Sequence, residues 1–156
     1  MASIFEPNKI DESQMDEYFM YKAYQEALLA LKEDEIPVGA VVVCNNKIIS
    51  KCHNQTELLN DVTAHAEMLA ITSTAATLGG KYLQQCCIYV TLEPCIMCAG
   101  ALAWSQIGRI VYGAQDDKRG YSRVKPDILH PRTIVKSGVL ADKCAELLIN
   151  FFQNKR

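Results

Sequence analysis

The stretch that most constrains this chain is residues 86–94, an apolar run CCIYVTL closed by Glu93 and Pro94. A strand that is apolar at successive positions has to be covered on both faces, which calls for other elements layered around it. Pro94 suits the first turn of a helix, predicted from Cys95 to about Gln106. Apolar residues at 15, 19, 23, 27 and 31, with Asp16, Glu17, Lys22 and Glu26 off that face, predict an amphipathic helix over Met15–Lys32. IPVGAVVVCNN and KIISKCHN read as two strands, with turn chemistry between them at Asn45-Asn46. Asp61 or Thr63 is placed to cap a helix that runs to about Leu78 and stops at Gly79-Gly80. RIVYGA and RTIVKSG are further strands, and Ala141–Phe152 is a terminal helix. The pattern is an α/β layered sheet, with 1–156 as one domain and residues 1–13 expected to fray.

Composition narrows the function classes. Of the 156 residues, 49% are hydrophobic and 22% charged, the balance of a soluble globular protein. A formal net charge of −2 excludes a polycation, so any nucleic-acid partner has to be met by a local basic patch. The N-terminus has no basic region followed by an apolar run, so no signal peptide is expected. No apolar run approaches the roughly 20 residues that cross a bilayer, and no membrane partner is expected. Seven cysteines is an odd number, scattered through segments that read as core, so a disulfide framework is not expected. The expected compartment is the reducing cytoplasm, where paired cysteines more often bind metal or do redox work.

Cys95 and Cys98 are i and i+3 on a helix, which turns both sulfurs the same way. A redox pair would need nothing else. A structural zinc knot would need two more thiolate or imidazole ligands, yet there is no second CxxC and no closely spaced histidine pair. What the chain does offer is TAHAE at 63–67. His65 with Cys95 and Cys98 makes three ligands and leaves one tetrahedral position open for water, as in a catalytic site. Glu67 is then a carboxylate placed to handle that water's protons. Both ligand groups lie at helix N-termini, which favour thiolates. His65 and Glu67 are two apart, and on a regular helix that spacing does not put them on one face. A fourth ligand from Cys52 or His53 would close the site.

The order HAE then PCIMC resembles the H-x-E…P-C-x-x-C signature of the zinc-dependent nucleoside and nucleobase deaminases. IPVGAVVV, HN at 53–54, TAHAEM, TLEPCIMCAGAL, IVYGAQDDKRG and GVLADKC resemble the bacterial tRNA adenosine deaminases over about residues 15–155. The resemblance implies a three-layer α/β/α fold with a central five-stranded mixed sheet, and a zinc-binding core over about 36–115. It implies one Zn²⁺ per subunit on His65, Cys95 and Cys98, no organic cofactor, and Glu67 as general acid/base. Asn54 aligns with a nucleoside-binding asparagine. Ile36, Pro37 and Val38 resemble an apolar wall beside the base, and the Ala66 N–H resembles a pocket donor. Glu93 reads as a structural carboxylate bonding nearby backbone. The cysteines at 44, 52, 86, 87 and 144 are assigned no chemistry, and His53 and His130 read as solvated.

The implied reaction is hydrolytic deamination of adenosine to inosine at the wobble position of tRNA. Lys118, Arg119, Arg123, Lys125, Arg132 and Lys136 form a local basic cluster among Asp116, Asp117 and Asp127 that could meet an anticodon stem-loop. Asp116, Lys118, Arg119, Tyr121 and Arg123 are the candidate RNA contacts, Tyr121 by stacking on a splayed base. Lys155 and Arg156 add charge at the chain end. The connection after DDKRG is shorter than the family's and carries Leu129-His130-Pro131-Arg132 where an Asn-His pair is usual. A free-base deaminase acting on guanine is therefore the alternative. A non-catalytic zinc subunit is opposed by Glu67, which such a protein has no use for. The resemblance also implies a homodimer, with the apolar helix IMCAGALAW a candidate surface and Trp104 its anchor.

Overall fold

The computed structural model describes residues 11–124 and 127–155. The expectation for the first ten residues, and the roles considered for Lys125 and Arg156, lie outside these. The elements in chain order are α1 (Glu12–Lys32), β1 (Gly39–Cys44), β2 (Lys47–His53), α2 (Ala66–Leu78), β3 (Cys86–Leu92), α3 (Ile96–Ser105), β4 (Arg109–Ala114), a short 3₁₀ turn at Tyr121–Arg123, β5 (Ile134–Ser137) and α4 (Ala141–Asn154). Five strands form one mixed sheet in the order β2-β1-β3-β4-β5. β1 is antiparallel to both neighbours, while β3, β4 and β5 run parallel.

Helices cover both faces. α1 and α4 pack on one side and α2 on the other, with α3 against α2. β1 shows how the residues divide: Ala40 and Val42 join the core beneath α2 and α3, whereas Val41 and Val43 join the core beneath α1. β3 alternates in the same way, Ile88 and Val90 on one side and Tyr89 on the other. This double cover is why CCIYVTL has no polar stripe. The hairpin turn places Asn45 and Asn46 at positive φ, 52° and 61°, as a two-residue turn of matching twist requires. Gly39 lies so close to α1 that a Cβ there would run into the backbone of Ala23 and Ala27.

Three local expectations need correcting. α1 starts a turn earlier than Met15, because Asp11 and Gln14 form a reciprocal capping box. Its buried face includes Asp16, expected outside, and leaves Leu31 exposed. Asp16 is tolerated there because Arg109, Lys136 and the Tyr89 hydroxyl all hydrogen bond to it, at 2.7–2.9 Å. Lys136 thereby leaves the basic cluster. Asp61 does not cap α2; its carboxylate accepts from the Thr63 N–H and hydroxyl at 2.8 Å, closing a turn before the helix.

The cysteines also differ from expectation. Cys44 and Cys86, paired across β1 and β3, form a disulfide. Cys52, Cys87 and Cys144 are free, and burial pushes their thiols up to about 11, 11 and 12, which makes them inert.

Candidate active site

Register gathers the site at one end of the sheet. Because β1 is antiparallel to β3, the start of β1 lies beside the end of β3, with Ala40 opposite Val90. Gly39 in turn faces His53 at the end of β2. Val38, Asn54, Glu93 to Cys95 and the chain after Ala114 therefore meet at one rim, where α2 and α3 also begin. Ligands of open sheets bind at such carboxyl ends.

Neither ligand group is wholly helical. His65 is the N-cap of α2 with extended backbone (φ −69°, ψ 152°), and Cys95 is the N-cap of α3 (φ −71°, ψ 173°). The helical spacing that separates His65 from Glu67 therefore does not apply, because the helix starts between them. His65 Nδ1 lies 3.7 Å from Cys95 Sγ and 3.5 Å from Cys98 Sγ. A tetrahedral zinc with bonds of about 2.3 Å to sulfur and 2.0–2.1 Å to nitrogen sets those atoms about 3.5 Å apart. The donor set fits zinc. Among the described residues, this is the group of His, Cys and carboxylate side chains with metal-binding spacing. The rival fourth ligands do not join it: His53 places Nδ1 at 3.2 Å from Glu26 and Nε2 at 2.8 Å from Glu33, both on the α1 side. His53 is thus an interelement clamp, not a solvated residue.

The electrostatics suit a metal. A hydrogen bond from Cys98, with help from His65 and against the cost of burial, holds the Cys95 thiol down at about 4. The same bond pushes the Cys98 thiol up. Both sulfurs bind a cation as thiolates, so metal binding at this pair releases protons. Hydrogen bonding to Cys95 raises His65. Glu67 is 4% exposed, and burial raises its carboxyl; it lies within hydrogen-bonding reach of the Cys98 sulfur.

Asn54 is buried, with its Nδ2 donating to the Ile36 carbonyl at 3.3 Å and its Oδ1 accepting from the Thr56 N–H at 3.4 Å. Pro37 and Val38 are buried, Ile36 is 39% exposed, and Ala66 opens α2. Glu93 is 1% exposed and bonds backbone, as expected. Its carboxylate accepts from the N–H groups of Asp116 and Ser122 and from the Ser122 hydroxyl, at 2.7–3.2 Å. A Cβ at Gly120 would collide with that carboxylate.

The loop so held is the one carrying the candidate RNA contacts. Lys118, Arg119, Arg123 and Arg132 are exposed. Asp116 is half-buried, its carboxylate accepting from the Lys118 and Arg119 N–H groups of its own turn at 3.0 Å. Tyr121 corrects the expectation of base stacking, for it is 4% exposed and packs in the core. His130 Nδ1 accepts from the Arg132 N–H, and Lys155 pairs with Asp34. Sequence reading missed Glu35, a fully buried carboxylate at the end of α1, because nothing in its local pattern marks it.

A sheet of this topology with an imidazole, two thiols and a buried carboxylate at its rim defines a metal-dependent hydrolase of nucleobases. Residues 13–114 match the model of the cytidine and deoxycytidylate deaminase zinc-binding region, and the chain belongs to that family. It is 45% identical over 144 residues to the tRNA-specific adenosine deaminase of Aquifex aeolicus, covering 90% of this chain and 95% of that one. A solved structure from a study of A-to-I editing by tRNA:A34 deaminases matches at 42% identity with a TM-score of 0.79, over 84% of this chain and 99% of the other. The guanine deaminase of Bacillus subtilis is 37% identical with a TM-score of 0.61, over 64% of each chain.

Proposed function

We infer that this protein is a zinc-dependent hydrolytic deaminase that converts adenosine to inosine at the wobble position of tRNA, releasing ammonia. The observation that carries the tRNA reading is that the likeness to a tRNA-specific adenosine deaminase runs through nearly the whole chain, well beyond the metal motif.

His65, Cys95 and Cys98 would hold zinc, which would supply the Lewis acidity that lowers the pKa of water toward neutral pH. Glu67 carries the protons: its carboxylate takes one from water and delivers it to the ring nitrogen, then takes the second from the hydroxyl left on C6 and passes it to the amine, which leaves as ammonia while C6 becomes a carbonyl. Burial raises its carboxyl and so favours the protonated form this shuttle passes through. The Asn54 amide, with one hydrogen and further lone-pair capacity uncommitted, orients the nucleoside. Pro37 and Val38 wall off water beside the base, and Ala66 offers a first-turn N–H, a donor that a helix leaves without an intrahelical partner.

Lys118, Arg119, Arg123 and Arg132 meet the phosphates, which reconciles a net charge of −2 with an RNA substrate. The protein acts as a homodimer in the cytoplasm, whose reducing conditions would open the Cys44–Cys86 pair. Trp104, 86% exposed, and Ile96, 45% exposed, stand on α3 as its apolar contact. Among the described residues no helix is long and apolar enough to cross a membrane.

The test is product analysis with a stem-loop whose anticodon begins with A, and a second that begins with G. The zinc-loaded protein forms inosine in the first and leaves the second unchanged, and chelation abolishes the reaction. Inosine formation that survives complete metal removal would contradict the reading.

A further inference from the structure

Glu35 is a buried carboxylate for which the mechanism has no use. It is 1% exposed, at the point where Asp34, in the left-handed region (φ 60°), turns the chain out of α1. A charge so placed needs partners. Its Oε1 accepts from the Glu57 N–H at 2.7 Å and its Oε2 from the Leu58 N–H at 3.4 Å. Both donors belong to the loop joining β2 to α2. That loop closes on itself through the Gln55 N–H to the Ala64 carbonyl and the Asp61 N–H to the Thr56 carbonyl, each 3.0 Å. Asn54 lies at one end of it and His65 at the other. Its outer face presents Leu58, Leu59 and Val62, 66%, 50% and 85% exposed. Three large apolar side chains held in water on a braced loop mark a contact surface.

We propose that Glu35 is a positioning residue for the substrate: it braces loop 55–64 so that Asn54 and the Leu58–Leu59 pair meet the nucleotides around the target base. The proposal rests on the tRNA-deaminase reading. The Glu35 side chain bonds the backbone of the loop and none of the metal ligands, so its loss is expected to fall on substrate binding and not on zinc or the chemical step. Glu93 braces the opposite loop in the same manner, through backbone N–H groups.

The experiment compares the full-length, zinc-loaded wild type with Glu35→Gln and Glu35→Ala. It reads kcat and KM separately on the stem-loop, zinc content, and amide hydrogen exchange at Glu57 and Leu58. Glu35→Gln keeps an acceptor but loses its charge, and is expected to retain one zinc and a kcat within about twofold, with KM up about tenfold. Exchange at both amides rises. Glu35→Ala shows the larger KM effect; if it does not fold, Glu35→Gln carries the test. A fall in kcat at constant KM, loss of zinc, or unchanged exchange overturns the proposal. A wild type that leaves the stem-loop untouched defeats the tRNA reading instead, and the exchange data still decide whether Glu35 braces the loop.

Discussion

At the scale of single residues the account turns on Glu67. Glu67→Gln keeps the shape of the side chain and all three zinc ligands while removing proton transfer. Turnover is expected to fall by at least about 100-fold with zinc retained, measured as ammonia release beside metal analysis. Turnover near the wild-type value would remove Glu67 from its role. The three ligands could be read from residue types, but the compatibility of His65 with Glu67 could not. It depends on where α2 starts, and the two capping candidates, Asp61 and Thr63, bond each other in the preceding turn while His65 takes the N-cap position.

Among the elements, the junction of α1 with the sheet is the most exposed to test. Burial pushes the Asp16 carboxyl up, but hydrogen bonds from Arg109, Lys136 and Tyr89 outweigh it and hold the group well below the usual carboxylate range. A carboxyl depressed on folding adds stability that is complete above its unfolded value of about 4 and drains away as pH falls through the folded one. Asp16→Asn should therefore cost about 3 kcal/mol at neutral pH, because Arg109 and Lys136 lose a buried carboxylate, Arg109 keeping only the exposed Glu12, and the deficit should shrink below about pH 4. Denaturant unfolding of both proteins across pH 2–7 measures this. A deficit that stays constant down to pH 2 would show that the ion cluster is not its source. The helix itself was legible from its apolar spacing. Asp16 was not, since its partners on β3, β4 and β5 lie 73 to 120 residues away. The same limit hid Glu35, whose donors lie 22 and 23 residues further on in a loop, and the Cys44–Cys86 pairing, a product of the β1–β3 register. What the sequence did carry, from CCIYVTL through Pro94 to CIMC, is local: strand, helix start and the two thiol ligands follow one another within thirteen residues.

For the whole molecule, assembly and substrate are the open stakes. If α3 is the homodimer contact, Trp104→Ser removes an aromatic anchor from both protomers and should weaken association by about 2 kcal/mol or more. Sedimentation at several concentrations would read this, and unchanged association would move the interface elsewhere. The central claim, adenosine deamination in tRNA, is tested most directly by one competition. The zinc-loaded protein is given the A-containing anticodon stem-loop together with free guanine, adenosine and cytidine, and inosine is mapped by position. The account predicts inosine at the wobble base alone and no ammonia from the free compounds. Ammonia from guanine with the RNA untouched would contradict it, and would leave Lys118, Arg119 and Arg123 as a merely solvated edge.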